Sequence, residues 1–218
     1  MTPHERTGPQ SPGKRKFALG DAAQGRRVAA VFLDRDGVIN ENAFVNRPQD
    51  LLMLPGAADA IARLNRARIP VVVVTNQGGV AMGHLSEESL AAVHARLAAL
   101  LAEHGAHVDR VDYCPHMPNA VVDAYRLDCP CRKPGTGMLE RARDALGIDL
   151  GESVLVGDST TDILAGIRAG CRTILVRTGF GGADGKASAE PDAVADDLAA
   201  AVSLILGTPS SRDASHHA

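Results

Sequence analysis

The stretch VAAVFLDRDGVIN, at residues 28–40, decides the fold of this chain of 218 residues. It begins as an uninterrupted apolar run, which is typical of a strand that is covered on both faces in a parallel sheet. The run ends in two carboxylates, Asp34 and Asp36, and Gly37 then lets the backbone turn sharply. Since ligands of open α/β sheets bind at the carboxyl ends of the strands, the stretch predicts a central strand with a functional site at its end.

Further apolar runs and helical patterns follow along the chain. The runs predict strands at residues 71–75, 154–156 and 173–176. The helical patterns predict helices at residues 57–68, 87–104, 137–146, 162–169 and 192–206. This alternation predicts an α/β fold with a doubly wound parallel sheet and helices on both faces.

The strand and helix patterns occupy one domain, at residues 27–206. Its core must be built from Val, Leu, Ile and Ala, because aromatic residues make up only 3% of the chain and Trp is absent. Residues 1–26 and 207–218 lack periodicity and are rich in small, polar and charged residues. We therefore predict one domain between two disordered tails.

Charge and hydropathy exclude several classes of protein. The formal net charge is −3, which provides no basic surface for nucleic acid or for an anionic membrane. No run approaches the roughly 18 apolar residues of a membrane span, and the N-terminal stretch has no apolar signal core. We expect a cytoplasmic monomer without nucleic-acid or membrane partners.

Polar side chains stand where the other predicted strands end. Thr75, Asn76 and Gln77 follow the second strand and precede two glycines, a group that can cradle a phosphate oxygen. Asp158 follows the third strand and would face Asp34 across neighbouring strand ends. Carboxylates that close repel each other unless a hard cation is present, so the pair predicts Mg²⁺ with oxygen ligands.

Each of these features also has a plainer interpretation. Two carboxylates two residues apart can act as nucleophile and as proton donor, but Asp34 and Asp36 could equally be caps in a polar turn. Asp158 could be a helix cap as well. Lys133 would neutralise a transferring phosphoryl group, or it could be a solvated surface residue.

A cluster of soft ligands lies between the second and third predicted strands, at residues 114–131. Cys114 and His116 form one pair, and Cys129 and Cys131 form another after a short intervening segment. Three thiolates and one imidazole suit a closed, tetrahedral, structural Zn²⁺ site. Unligated cysteines in a loop are the alternative, although the segment has little else to hold it folded.

Together these motifs resemble the haloacid dehalogenase superfamily of aspartate-nucleophile phosphatases. The four signatures of that family match DRDG at residues 34–37, Thr75, Lys133 and GDSTTD at residues 157–162, in the family's order. The resemblance implies a phosphoric monoester hydrolase with the parallel-sheet fold predicted above.

The resemblance also implies a role for each matching residue. Asp34 would form an aspartyl-phosphate, and Asp36 would act first as general acid and then as general base. Thr75 and Lys133 would hold the phosphoryl oxygens. Mg²⁺ would bind Asp34, the carbonyl oxygen of Asp36, and Asp158.

The cysteine cluster narrows the resemblance to a zinc-loop subfamily. YCPH at residues 113–116 and CPCRKP at residues 129–134 look like those of heptose-bisphosphate and histidinol-phosphate phosphatases, which lack a large cap domain. The resemblance implies a small phosphorylated sugar as substrate, with removal of the 7-phosphate of a heptose 1,7-bisphosphate as the leading expectation. Histidinol phosphate or another small sugar phosphate is the alternative, and a non-catalytic zinc-stabilised binding module is an alternative of another class.

The same resemblance implies a set of substrate-binding residues, namely Asn42, Phe44, Asn76, Gln77, Gly78 and Arg132. Arg132 would contact the distal part of the substrate, which is a second phosphate in a bisphosphate. Two positions depart from the heptose enzymes: Met82 stands where Arg is common, and Ser159 stands where Lys is common. Because a hydrogen bond to a charged group contributes about 1.5–3 kcal/mol, these departures bear directly on how a second phosphate is recognised.

Overall fold

The computed structural model describes residues 28–41 and 45–208. The strands are β1 (Val31–Leu33), β2 (Val71–Asn76), β3 (Arg110–Cys114), β4 (Val154–Gly157), β5 (Arg172–Val176) and β6 (Ala193–Ala195). They form one sheet in the order β3-β2-β1-β4-β5-β6, and neighbouring strands pair in parallel. The predicted doubly wound parallel sheet is confirmed, with β1 between β2 and β4.

The α-helices pack around this sheet. They are α1 (Ala57–Arg66), α2 (Gly78–Ala81), α3 (Glu87–Glu103), α4 (Gly137–Leu146), α5 (Thr160–Ala169) and α6 (Leu198–Leu206). Short 3₁₀ turns lie at Pro48–Asp50, Asp123–Tyr125 and Leu150–Glu152. Among the residues that the structure describes, none of these helices combines the length and the apolar composition that a membrane span requires.

Side chains of each central strand alternate between two hydrophobic layers. Val31 and Leu33 of β1 belong to the layer formed with α1, α3 and α6, whereas Phe32 belongs to the layer formed with α4 and α5. All three side chains are fully buried. Burial on both faces is the reason that β1 has an unbroken apolar sequence rather than an alternating one.

The predicted elements are confirmed in position, but the bounds of several of them differ from the prediction. The helix predicted at 192–206 begins only at Leu198, because residues 193–195 form β6 instead. Asp197 separates the two elements and caps α6, since its carboxylate accepts from the backbone N–H of Ala200 at 2.8 Å. The strand predicted at 28–33 pairs only from Val31 onward, and α5 begins at Thr160 rather than at residue 162.

The sequence patterns miss both edge strands: β3 has no apolar run, and the three apolar residues of β6 were included in the predicted helix. In β3, Arg110 and Asp112 form an ion pair with a distance of 2.5 Å between Nε and Oδ2. The predicted N-terminal tail, and the C-terminal tail from residue 209 onward, lie outside the described residues.

Candidate active site

A pocket of about 560 Å³ lies at the carboxyl edge of the sheet, where β1, β2 and β4 end side by side. Its wall contains most of the predicted catalytic and substrate-binding residues, namely Asp34, Asp36, Thr75, Asn76, Gln77, Gly78, Arg132, Lys133 and Asp158. Asn42 and Phe44, also predicted to bind substrate, lie outside the described residues. The topology therefore brings residues that are far apart in the sequence into one cavity.

Three carboxylates converge at the base of this pocket. One oxygen each from Asp34, Asp158 and Asp162 lies within 4.8 Å of the other two. Burial raises the pKa of Asp34 to about 6, against the opposing charge of Lys133. Burial and the charge of Asp34 raise the pKa of Asp158 to about 7. Both pKa values are raised chiefly because the carboxylates are buried, and the negative charges of neighbouring carboxylates add to the effect.

Lys133 is the buried cation of this cluster. Its Nζ lies 2.9 Å from Asp34 Oδ1 and 2.5 Å from Asp162 Oδ1, and it donates to the carbonyl oxygen of Val74 at 2.7 Å. Burial alone would lower the pKa of Lys133, but the charges of Asp162 and Asp34 outweigh it and raise the value. One ammonium against three carboxylates leaves a negative site, which fits a divalent cation with oxygen ligands such as Mg²⁺.

Asp162 caps the start of α5 and also pairs with a charged residue of the pocket. Its Oδ2 accepts from the hydroxyl of Ser159 at 2.6 Å and from the backbone N–H of Ser159 at 3.0 Å, which closes a capping box on α5. Its Oδ1 pairs with Lys133. The start of α5 is thereby tied to the bottom of the pocket.

Asp36 is held by a group of donors that includes its own neighbour in the sequence. Arg35, which is only 1% exposed, donates through Nη2 to both carboxylate oxygens of Asp36 at 2.9 Å. Asn40 donates to Oδ1 at 2.9 Å, and Gln77 donates to Oδ2 at 3.0 Å. Sequence reasoning missed Arg35, although its place between two aspartates directly after a buried strand was a signal for such a pair.

His94 of α3 supports this arrangement from behind. Its Nε2 lies 3.3 Å from Nη1 of Arg35. Burial, followed by the charge of Arg35, lowers the pKa of His94 to about 4, so the ring is neutral at pH 7 and accepts from the guanidinium. His94 therefore holds Arg35, and Arg35 in turn orients the carboxylate of Asp36.

Gly37 is required by the close approach of two loops. Its φ is 84°, in the left-handed region that favours glycine, and a Cβ there would collide with the carboxylate of Asp158. The turn after β1 therefore packs directly against the residue that follows β4.

The segment at residues 114–131, which we call the cysteine loop, brings together three of the four predicted zinc ligands. Ligand atoms of Cys114, His116 and Cys129 lie within 4.8 Å of one another, and this sulfur and imidazole donor set fits Zn²⁺. Cys131 stands outside that group of three, and its Sγ accepts from Arg141 Nη1 at 2.5 Å. Burial raises the pKa of Cys114 to about 11, so its thiolate needs a cation nearby.

The cysteine loop leads directly into the pocket wall. Arg132 donates through Nη1 to the carbonyl oxygen of His116 at 3.1 Å. The side chain of Asn76 donates to the carbonyl oxygen of Lys133 at 3.1 Å and accepts from its backbone N–H at 3.0 Å. The amide of Asn76 thereby positions the backbone of Lys133, and its predicted contact with substrate stays a prediction.

The loop after β5 adds two pocket residues that sequence reasoning missed, Phe180 and Lys186. The backbone N–H of Phe180 donates to Asp158 Oδ2 at 2.8 Å. The signal that could have found this loop was its position after a predicted strand, as for the other site residues.

Known proteins resemble this chain over most of its length. Residues 130–201 match the family described as HAD-hydrolase-like. A D-glycero-D-manno-heptose-1,7-bisphosphate 7-phosphatase of Thermosynechococcus vestitus is 45% identical over 186 residues, or 81% of this chain and 94% of that protein. A D-glycero-beta-D-manno-heptose-1,7-bisphosphate 7-phosphatase of Escherichia coli K12 is 40% identical over 71% of this chain and 82% of its own length.

A similar solved structure is the D,D-heptose 1,7-bisphosphate phosphatase of B. bronchiseptica, in complex with magnesium and phosphate. It matches with a TM-score of 0.73 and 38% identity, and the match covers 81% of this chain and 98% of that one.

Proposed function

The chain belongs to the haloacid dehalogenase-like hydrolases, among the heptose-1,7-bisphosphate 7-phosphatases, and on that premise we propose that it removes the 7-phosphate of D-glycero-D-manno-heptose 1,7-bisphosphate. The observation that carries the proposal is the buried cluster in which Lys133 contacts Asp34, with Asp158 close by. A carboxylate held against a buried ammonium at a strand end suits a nucleophile that attacks phosphorus.

Asp34 attacks phosphorus and forms the aspartyl-phosphate, while the bond between phosphorus and the sugar oxygen breaks. The backbone N–H of Arg35 at 2.7 Å and the Nζ of Lys133 at 2.9 Å both contact Asp34 Oδ1, so we assign the attack to Oδ2. Asp36 donates its proton to the departing alkoxide. It then takes a proton from the water that hydrolyses the aspartyl-phosphate, and inorganic phosphate leaves.

Thr75 and Lys133 hold the phosphoryl oxygens during both steps. The hydroxyl oxygen of Thr75 accepts from Gln77 Nε2 at 2.9 Å, which directs its own O–H toward another acceptor. A phosphoryl oxygen in the pocket is a suitable acceptor, because Thr75 lies in the pocket wall.

Metal ions complete the proposal. Asp34, Asp158 and the carbonyl oxygen of Asp36 would hold Mg²⁺, which when bound neutralises charge between the carboxylates and the phosphate. Cys114, His116, Cys129 and Cys131 would hold a structural Zn²⁺ that keeps the basic end of the loop in place.

We also propose that the enzyme acts in the cytoplasm on small phosphorylated sugars. None of the four cysteines forms a disulfide, which suits a reducing compartment. The expected monomeric state stays a prediction.

A monophosphate substrate such as histidinol phosphate is the second candidate. It is favoured by the uncharged side chains of Met82 and Ser159, which both line the pocket. A non-catalytic binding module is disfavoured, because the carboxylates and the lysine that phosphoryl transfer needs all meet in one pocket.

The test is phosphate release in the presence of Mg²⁺ from heptose 1,7-bisphosphate and from histidinol phosphate, measured side by side. We expect kcat/KM to favour the bisphosphate by about a hundredfold or more, since charged contacts to a second phosphate add to binding. Comparable or inverted values would contradict the proposed substrate. Asp34→Asn should abolish turnover of either substrate while circular dichroism shows that the variant still folds, and retained activity would contradict the covalent step.

A further inference from the structure

The loop after β5 forms a wall of the pocket that the proposed chemistry does not use. Two of its side chains, Phe180 and Lys186, line the cavity that also contains Asp34 and Arg132. The loop follows β5 directly, and no sequence motif pointed to it. We therefore considered what these two side chains would contact in a bound substrate.

The first half of the loop is anchored on the reaction centre. The hydroxyl of Thr178 donates to the carbonyl oxygen of Gly37 at 2.6 Å. Two residues later, the backbone N–H of Phe180 donates to the carboxylate of Asp158 at 2.8 Å. The backbone N–H of Gly182 donates to the carbonyl oxygen of Asp158, also at 2.8 Å. The loop is therefore held in place by the turn after β1 and by the residue after β4.

The second half of the loop is anchored on the start of α5. Asp184 accepts from the backbone N–H of Thr160 at 2.9 Å and from its hydroxyl at 3.0 Å. The backbone N–H of Ala187 donates to the same hydroxyl at 3.1 Å. Lys186 lies between these two anchored residues, so its backbone is fixed at the rim of the pocket.

Phe180 orients the side chain of Lys186. The Nζ of Lys186 lies 5.4 Å from the centroid of the Phe180 ring, within the range of a cation–π contact. The ring itself is 45% exposed at the pocket, whereas Phe32 in β1 is fully buried. An exposed ring beside an ammonium presents an apolar surface and a positive charge to whatever occupies the outer pocket.

The charges of the pocket divide into an inner and an outer group. Arg35 and Lys133 are paired with the carboxylates of the reaction centre. Arg132 and Lys186 are the other permanently charged basic residues of the pocket wall. A second phosphate ester carries between one and two negative charges near pH 7, more than Arg132 alone balances.

We propose that Lys186 binds the phosphate group that is not hydrolysed, together with Arg132, and so determines specificity for a bisphosphorylated sugar. This inference rests on the proposed function, because it concerns the outer part of the same pocket. Lys186 adds positive charge to a pocket wall in which Met82 and Ser159 are uncharged.

The test compares Lys186→Met, which keeps the length of the side chain and removes its charge, with Lys186→Arg, which keeps the charge. Arg66→Met serves as the matched control, because Arg66 is an exposed residue of α1. Steady-state kinetics are measured with heptose 1,7-bisphosphate. Heptose 7-phosphate, which has the same scissile ester and no distal phosphate, is tested as substrate and as competitive inhibitor.

For Lys186→Met we expect KM for the bisphosphate to rise about ten- to hundredfold with kcat nearly unchanged, the signature of lost uniform binding. The KM or inhibition constant of heptose 7-phosphate should stay at the parent value. Lys186→Arg should restore most of the affinity, and Arg66→Met should match the parent.

Two results would overturn the inference alone: an unchanged KM for the bisphosphate in Lys186→Met, or an equal loss of affinity for both ligands. A parent enzyme that hydrolyses neither substrate would instead overturn the proposed function, and the inference with it. The two failures are distinguishable because the second is seen before any variant is made.

Discussion

Replacement of Lys133 by Met tests the central cluster, because it removes one buried charge and leaves its two partners in place. Lys133 is 4% exposed, and it contacts Asp34, Asp162 and the carbonyl oxygen of Val74. Breaking a buried ion pair by removing one partner costs about 3–5 kcal/mol. In a domain of about 150–250 residues each kcal/mol lowers Tm by about 2–4 °C, so we expect Tm to fall by about 6–20 °C.

Thermal unfolding followed by circular dichroism, with EDTA present, measures this loss. Addition of Mg²⁺ should raise the Tm of Lys133→Met more than that of the parent, because a cation then compensates carboxylates that have lost their ammonium. The double variant Lys133→Met, Asp162→Asn is the control, and it should recover part of the lost stability since one uncompensated charge is gone. The kcat should fall by about a hundredfold or more, as for other lost electrostatic contacts to a transition state.

A Tm of Lys133→Met within about 1 °C of the parent in EDTA would refute the reasoning, because it would mean that Asp34 and Asp162 are not compensated by this lysine. A double variant less stable than the single one would also refute it.

Two further substitutions test the loops around the site. Cys129→Ser should lose bound zinc, measured by mass spectrometry of the purified protein, and should lower Tm, whereas Cys171→Ser should keep the metal because Cys171 is not part of the ligand group. Equal zinc contents in the two variants would contradict the assignment. Gly37→Ala should lower both Tm and kcat, because its Cβ would collide with Asp158, while Gly105→Ala has a similar positive φ of 64° with no atom within 4 Å and should cost only about 1–2 kcal/mol. Equal losses of stability in the two glycine variants would count against the close packing of the loops.

The central strands, and the residues at their ends, could be predicted because the patterns that indicate them are local in the sequence. An apolar run that is buried on both faces has a recognisable sequence, and a parallel sheet collects whatever follows its strands at one edge. Asp34, Thr75 and Asp158 therefore meet as expected. The helix patterns were equally informative, except near residue 193, where three small apolar residues pair with β5 as an edge strand instead.

The partners of the charged residues could not be predicted, because they depend on contacts between distant parts of the chain. Arg35 contacts His94, and Lys133 contacts Val74, across 59 positions in each case. Only the packed fold decides that Lys133 is a buried member of the cluster rather than a surface residue.

The sequence by itself determined the central strands, the carboxylates at their ends and the clustered thiols, since periodicity and spacing are properties of neighbouring residues. Only the tertiary structure decided which charges compensate one another and that the loop holding Lys186 lines the pocket. The physical reason is that burial and Coulomb interactions depend on distance in space, whereas a sequence records distance along the chain.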